Sequence, residues 1–388
     1  MSIFNSLGSN YNLQYVFQSL FSDTSGQNLK LKEYLNNKYK GRTTLVYKGR
    51  EALIIGLKSL DLPKESAVAI NGFTCYAVYK AVHEAGLVPA CLDLNKENLD
   101  LNFSSETLEK ALVENTNIKV VVVQNTLGYP CDIEKIIQIC QKNNLVLIED
   151  LAHCIGTKYA NGKEAGTVGD LTTLSFSQDK VIDAVSGGAL IMRNKRYTET
   201  LNLPKGEFKT PKDQIKDKLY PLFTYKIRFL YSIGVGKILH YTLKNLDLLS
   251  KPMRKGLYAF YSLPNWYCNL VLYEFKKISV QLNHRKQIAK IYAQNLSKKI
   301  LNKEITENIP TSVNLRFPVF VKNRGELIKF LDKRNIYVSD IWYSDVAPEC
   351  PNAVAISKTI LNLPTHINVS RKDAFKIVNA VNLWIKLR

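Results

Sequence analysis

The sequence has no Cys-x-x-Cys pair, and its seven cysteines (Cys75, Cys91, Cys131, Cys140, Cys154, Cys268 and Cys350) are odd in number and scattered over 388 residues. That pattern argues against a disulfide framework and reads as reduced thiols in a cytoplasmic protein. Five histidines are equally dispersed, with no pair at helical ligand spacing, so no structural metal is expected. No uninterrupted apolar run reaches about 18 residues, which excludes a membrane-spanning helix. The opening Met1-Ser-Ile-Phe-Asn-Ser-Leu-Gly8 lacks a basic region followed by an apolar stretch and does not read as a signal peptide. Acid is the scarcer charge: 34 Asp and Glu stand against 53 Lys and Arg, a net charge of +19. The excess favours polyanions, whether phosphorylated substrates, acidic lipid surfaces or nucleic acid, without choosing among them. No nucleic-acid motif accompanies it, so binding of that class would be nonspecific.

What is present is enough apolar residue, 46%, for a large core and roughly two domains. Short, nearly continuous apolar runs at 67–70, 88–94, 119–124, 145–150 and 171–176 alternate with helical segments. Such runs are strands buried on both faces, the mark of a parallel sheet covered by helices. Asp132 stands where it can cap a helix whose Ile133, Ile136, Ile137 and Cys140 share a face. The class is α/β, and reactive residues are expected where strands end and loops begin.

Two loops meet that expectation. Leu174-Ser-Phe-Ser-Gln-Asp-Lys180 is a strand end running into a polar loop with a lysine, followed by a Gly-rich strand at Ser186-Gly-Gly-Ala-Leu-Ile191. Ile148-Glu-Asp150 places a carboxylate at the exit of a very apolar strand, with His153 just after it. Pyridoxal 5′-phosphate (PLP) chemistry needs this pair. A lysine amine holds the cofactor aldehyde as a Schiff base, and a carboxylate keeps the ring nitrogen protonated. A partly buried lysine has a lowered pKa and can shuttle protons.

The blocks Gly49-Arg-Glu-Ala-Leu53, Gly72-Phe-Thr-Cys-Tyr-Ala77, Leu127-Gly-Tyr-Pro-Cys-Asp132, Ile148-Glu-Asp-Leu-Ala-His153 and Ser175-Phe-Ser-Gln-Asp-Lys180 with Gly187-Gly188 follow in one order. In that order and spacing the sequence resembles the DegT/DnrJ/EryC1/StrS sugar aminotransferases. The resemblance implies the PLP-dependent transferase type I fold, with a mostly parallel large domain and a smaller α+β C-terminal domain. It also implies a homodimer and transamination of a keto sugar, nucleotide-linked, with an amino acid such as glutamate as donor.

By resemblance, Lys180 is the Schiff-base lysine and Asp150 the partner of the ring nitrogen. His153 falls beside the ring oxygen and Ser175 on the phosphate. Gly49, Arg50 and Glu51 open a helix over the phosphate, where an anion is favoured, with Glu51 expected to point elsewhere. Cys75 occupies the place of an aromatic residue that stacks on the ring, a contact Tyr76 is expected to take over. The family's Asn-x-Arg loop, whose arginine reaches the partner's phosphate, is represented only by Asn265-Trp-Tyr267 without the arginine, and Arg50 is expected to compensate. Trp342 and Tyr343 are read as packing.

The boundaries expected are 1–204 for the large domain, 205–263 for a basic, aromatic helical insertion, and 264–388 for a long helix and the small domain. The last of these opens with a helix over 274–296, continues through a strand over 313–321 and a helix over 326–333, and ends on a helix begun at Ser370. The insertion reads foremost as helices packed on the domain with solvated lysines. Its sharper reading is peripheral membrane contact through 205–249, at the inner face of the membrane, with apolar side chains at the interface and lysines on acidic headgroups. A membrane-associated binding or regulatory protein on the same fold, and a PLP-dependent dehydratase or aldolase, are the alternatives to the aminotransferase. A lysine rather than a histidine at 180 argues against the dehydratase branch.

Overall fold

The computed structural model describes residues 2–21, 25–95, 101–194, 196–197, 208–251, 260–338 and 346–388. Trp342 and Tyr343 lie outside them.

In chain order, β1 is Ile3–Phe4, α1 Leu13–Phe21, α2 Gln27–Tyr39, β2 Arg42–Val46 and α3 Gly49–Lys58. Then come β3 Ala67–Asn71, α4 Tyr76–Glu84, β4 Val88–Leu92, α5 Ser105–Glu114, β5 Ile118–Val123, α6 Ile133–Lys142, β6 Val146–Asp150, β7 Leu171–Ser175 and β8 Gly188–Met192. Seven of these strands form one sheet in the order β2-β8-β7-β6-β5-β3-β4. The run from β4 to β7 is parallel, while β8 is antiparallel to both β7 and β2. Nearly every residue of β3, β5, β6 and β7 is buried, as a sheet sandwiched between helices requires. All seven cysteines are free thiols.

The basic aromatic stretch is helical: α7 spans Pro211–Phe229 and α8 Val235–Asn245. Thr210 caps α7 by accepting from the Asp213 N–H, with proline at the first position. The stretch is only partly a surface feature. Tyr220, Ile227, Leu243 and Leu249 join the same hydrophobic cluster as β5 and β7. The long helix α9, Asn265–Asn295, begins nine residues before the expected start. It packs on α2 and on the C-terminal helix.

A second cluster holds the smaller unit, made of β9 Arg316–Phe320, α10 Arg324–Asp332, β10 Ile336–Tyr337, α11 Pro351–Thr359, β11 Ile360–Pro364 and α12 Arg371–Lys386. β11 runs antiparallel to β9, while the N-terminal β1 pairs in parallel with β10. Ser370 and Asp373 form the expected capping box of α12. Asp132 occupies the N-cap of α6 but makes no capping hydrogen bond; its carboxylate lies 3.3 Å from Lys135 instead.

Candidate active site

Successive residues of a strand point to opposite faces, and β6 uses this to separate two acids. Glu149 turns inward, where it accepts from the N–H groups of Gly166, Val168 and Gly169 and from the Tyr159 hydroxyl. Asp150 turns into a cavity of about 260 Å³ at the C-terminal ends of β5, β6 and β7. One of its oxygens accepts from the Ala152 N–H at 2.9 Å and lies 3.4 Å from Thr173 Oγ1. Burial holds the Asp150 carboxyl above its usual range, against the opposing pull of the Ala152 N–H and Lys180.

Lys180 lines the same cavity, and burial lowers its pKa although Cys75, Asp150 and Asp179 pull it back up. Its loop is clamped from below by a buried aspartate. Asp183 accepts from Tyr11 Oη at 2.6 Å, from Asn10 Nδ2 at 3.0 Å and from the N–H groups of Asp179 and Val185. Asn10 also donates to the Lys180 carbonyl, and Tyr15 to the Asp183 carbonyl. Burial pushes the Asp183 carboxyl up to about 7. His153 lines the cavity beside Asp150. Its Nδ1 accepts from the Leu127 N–H at 3.4 Å, and burial next to Lys180 and Arg316 lowers its pKa. The ring is therefore neutral with its proton on Nε2, a donor.

The far end of the cavity is the start of α3. Lys48, Gly49, Arg50 and Ser175 all line it. Gly49 and Gly188 are required by closeness: a Cβ on Gly49 would stand 2.6 Å from Ser175 Cβ, and one on Gly188 would stand 2.6 Å from the Gly49 nitrogen. The helix opening is thereby pressed onto the end of β7. N–H groups at a helix start attract an anion.

The chain matches the model of the DegT/DnrJ/EryC1/StrS aminotransferase family over residues 28–382. It belongs to that family. The UDP-4-amino-4,6-dideoxy-N-acetyl-beta-L-altrosamine transaminase of Campylobacter jejuni is 24% identical over 325 residues, 80% of this chain and 77% of that protein. The GDP-perosamine synthase of Escherichia coli O157:H7 is 32% identical, but the match spans only 39% of this chain and 40% of that protein. Among solved structures, an aminotransferase of Helicobacter pylori involved in the biosynthesis of pseudoaminic acid superimposes with a TM-score of 0.73 at 17% identity, covering 100% of both chains. The α/β fold with a mostly parallel sheet is thus that of the PLP-dependent aminotransferases.

Aminotransferases of this family depend on PLP, and the cavity fits it. A buried carboxyl that lines the cavity suits a protonated ring nitrogen. An amine of lowered pKa suits the aldehyde, and a helix start with a hydroxyl suits the phosphate. Lys180, Asp150, His153, Ser175, Gly49, Arg50 and Cys75 all line this one cavity.

Glu51, expected to point elsewhere, and Tyr76, expected over the ring, do not. The Glu51 carboxylate turns back to accept from the Lys48 N–H at 3.3 Å and is buried away from the cavity. The Tyr76 ring is 53% exposed and stacks on Tyr79, so it does not replace an aromatic over the cofactor ring. Its position as the first residue of α4 turns it outward, while Cys75, just before the helix, faces in. The sequence reading also missed Lys48, Gln124, Ser177, Gln178 and Asp179, which line the cavity as well. Gln124 could have been found, because it directly follows β5 as Asp150 closes β6.

Proposed function

We propose that the chain moves an amino group from an amino acid, with L-glutamate as donor, to the ketone of a nucleotide-linked sugar. The sugar-nucleotide names of its relatives support that acceptor class, and the observation that carries the chemistry is the convergence of Lys180 and Asp150 on one cavity from the ends of neighbouring strands. Bound PLP supplies an electron sink for the carbon that loses its proton. Lys180 holds the cofactor through its amine. With a donor bound, the Lys180 amine would carry the proton between the donor Cα and the cofactor's C4′ carbon. Burial lowers the Lys180 pKa, and a lysine shifted in that direction is better suited to both transfers than an exposed one. Asp150 would keep the ring nitrogen protonated, and the Nε2–H of His153 would donate to the ring oxygen. Ser175, Arg50 and the first turn of α3 hold the phosphate, and Cys75 lies beside the ring.

The protein is read as a cytoplasmic homodimer. A second reading concerns its surface: Val235, Ile238 and Tyr241 of α8, with Ile233 and Leu246 at its ends, expose an apolar face next to Lys237 and Lys244. That face favours peripheral contact with an acidic membrane, and among the described residues no helix is long and apolar enough to cross one. Salt-sensitive cosedimentation with phosphatidylserine vesicles, lost in Ile238→Asp, tests it.

The test of the main reading is the absorption spectrum of the PLP-loaded protein before and after L-glutamate. A visible band that glutamate moves toward that of the amine form, with release of 2-oxoglutarate, is expected. Subsequent addition of a nucleotide-linked 4-keto sugar should restore the band and give an amino sugar by mass spectrometry. A protein that stays colourless in PLP refutes the reading.

A further inference from the structure

Asp217, in the middle of α7, is only 3% exposed although its helix is rich in lysine. Three hydroxyls donate to a single one of its oxygens, Oδ2: Tyr47 at 2.5 Å, Ser186 at 2.7 Å and Tyr267 at 2.7 Å. The Ser186 proton is spent on Asp217, so towards Lys48 Nζ, 2.7 Å away, Ser186 can only accept. The Lys48 ammonium is also 4.9 Å from the centroid of the Tyr47 ring. Lys48 is the residue immediately before α3, its backbone bridges that of Gly187, and it lines the cavity together with Gly49, Arg50 and Ser175. A buried carboxylate thus holds, through one serine, a cation at the end of the cavity where the helix opens.

Resting on the PLP reading above, we propose that Lys48 binds the cofactor phosphate and that Asp217, acting through Ser186, is the positioning residue that sets its ammonium. The helix 211–229 is then a working part of the cofactor site. An ammonium has three donors, so a bond to Ser186 and one to a phosphate oxygen are compatible. The phosphate calls for this cation because a helix start offers only about half a unit of positive charge. Glu51 moreover places an acidic group in the same first turn.

The test is titration of the apoprotein with PLP and, separately, with pyridoxal, which has the aldehyde and ring but no phosphate. Binding is followed by quenching of intrinsic fluorescence. Lys48→Met is expected to weaken PLP about 10- to 100-fold while leaving pyridoxal unchanged, and Lys48→Arg to restore most of the loss. Asp217→Asn is expected to weaken PLP by a smaller factor, again without touching pyridoxal. Ser186→Ala breaks the same relay should Asp217→Asn fail to fold. Loss of PLP and pyridoxal in equal measure, or PLP affinity in Lys48→Met within twofold of the parent, overturns the assignment. A parent protein that binds neither aldehyde overturns the PLP reading itself, which is a different result.

Discussion

At one end of the cavity Asp150, His153 and Lys180 stand at or just beyond the ends of adjacent parallel strands, β6 and β7. At the other end the start of α3 is pressed onto Ser175 at the end of β7, and Lys48 just before it is held by Ser186, which Asp217 of α7 and, behind it, Tyr267 of the long helix α9 back up. The first end is placed by the sheet: a strand that ends with its side chain pointing outward delivers that residue, and the parallel register fixes its neighbours. The second end is placed by tertiary packing, with two glycines allowing the approach and a buried aspartate closing it. One is a product of local geometry, the other of meetings between distant segments. Their functions divide accordingly, since proton handling belongs to the first and anchoring to the second.

The sharpest way to break that division is to remove the lysine. Lys180→Ala should lower turnover by about 1,000-fold or more, with the phosphate still able to bring PLP into the cavity noncovalently. Asp150→Asn should follow, lowering kcat by about 100-fold while changing PLP affinity much less. Both are read by steady-state kinetics at saturating PLP alongside PLP titration. If Asp150→Asn instead abolished PLP binding and left the kcat of the loaded fraction intact, the strand-end residues would be anchors and the comparison would collapse.

The same contrast explains what the sequence made legible. Asp150, His153, Ser175 and Lys180 fall within thirty-one residues, each next to an apolar run, so periodicity and polarity pick them out together. The parallel strands were readable for the same reason. Nothing local marks Asp217, which sits among lysines and aromatics that read as an inserted surface helix; only its three hydroxyl partners, from residues 47, 186 and 267, show that it is internal. The clamp on the Lys180 loop was equally invisible, because Asn10, Tyr11 and Tyr15 meet Asp183 only after the chain has folded back. β1 pairs with β10 across nearly the whole chain, and a two-residue strand carries no periodicity to detect.

A smaller effect separates anchoring from chemistry at Ser175. Ser175→Ala should weaken PLP by about tenfold, the size of one hydrogen bond to a charged group, and leave kcat at saturating PLP nearly unchanged. A drop in kcat as large as that of Asp150→Asn would mean that the end of β7 controls the reacting atoms and not only the phosphate.

The smallest effect concerns Glu51, which shares the first turn of α3 with the anion site without facing it. Burial pushes its carboxyl up to about 7, against the pull of Lys48. An unfolded glutamate titrates near about 4.3. Between those two values the unfolded chain has already released the proton and the folded chain still holds it, so the unfolded state binds fewer protons and stability falls as pH rises through this window. Glu51→Gln keeps an oxygen that can accept from the Lys48 N–H but does not titrate. The melting temperature of the variant minus that of the parent should therefore climb from about pH 4 to about pH 7 and level off above, by on the order of a few degrees. A difference that stays flat would mean that Glu51 is fully ionised at neutral pH. The start of α3 would then hold a full negative charge beside the phosphate, and the demand on Lys48 and Arg50 would be greater.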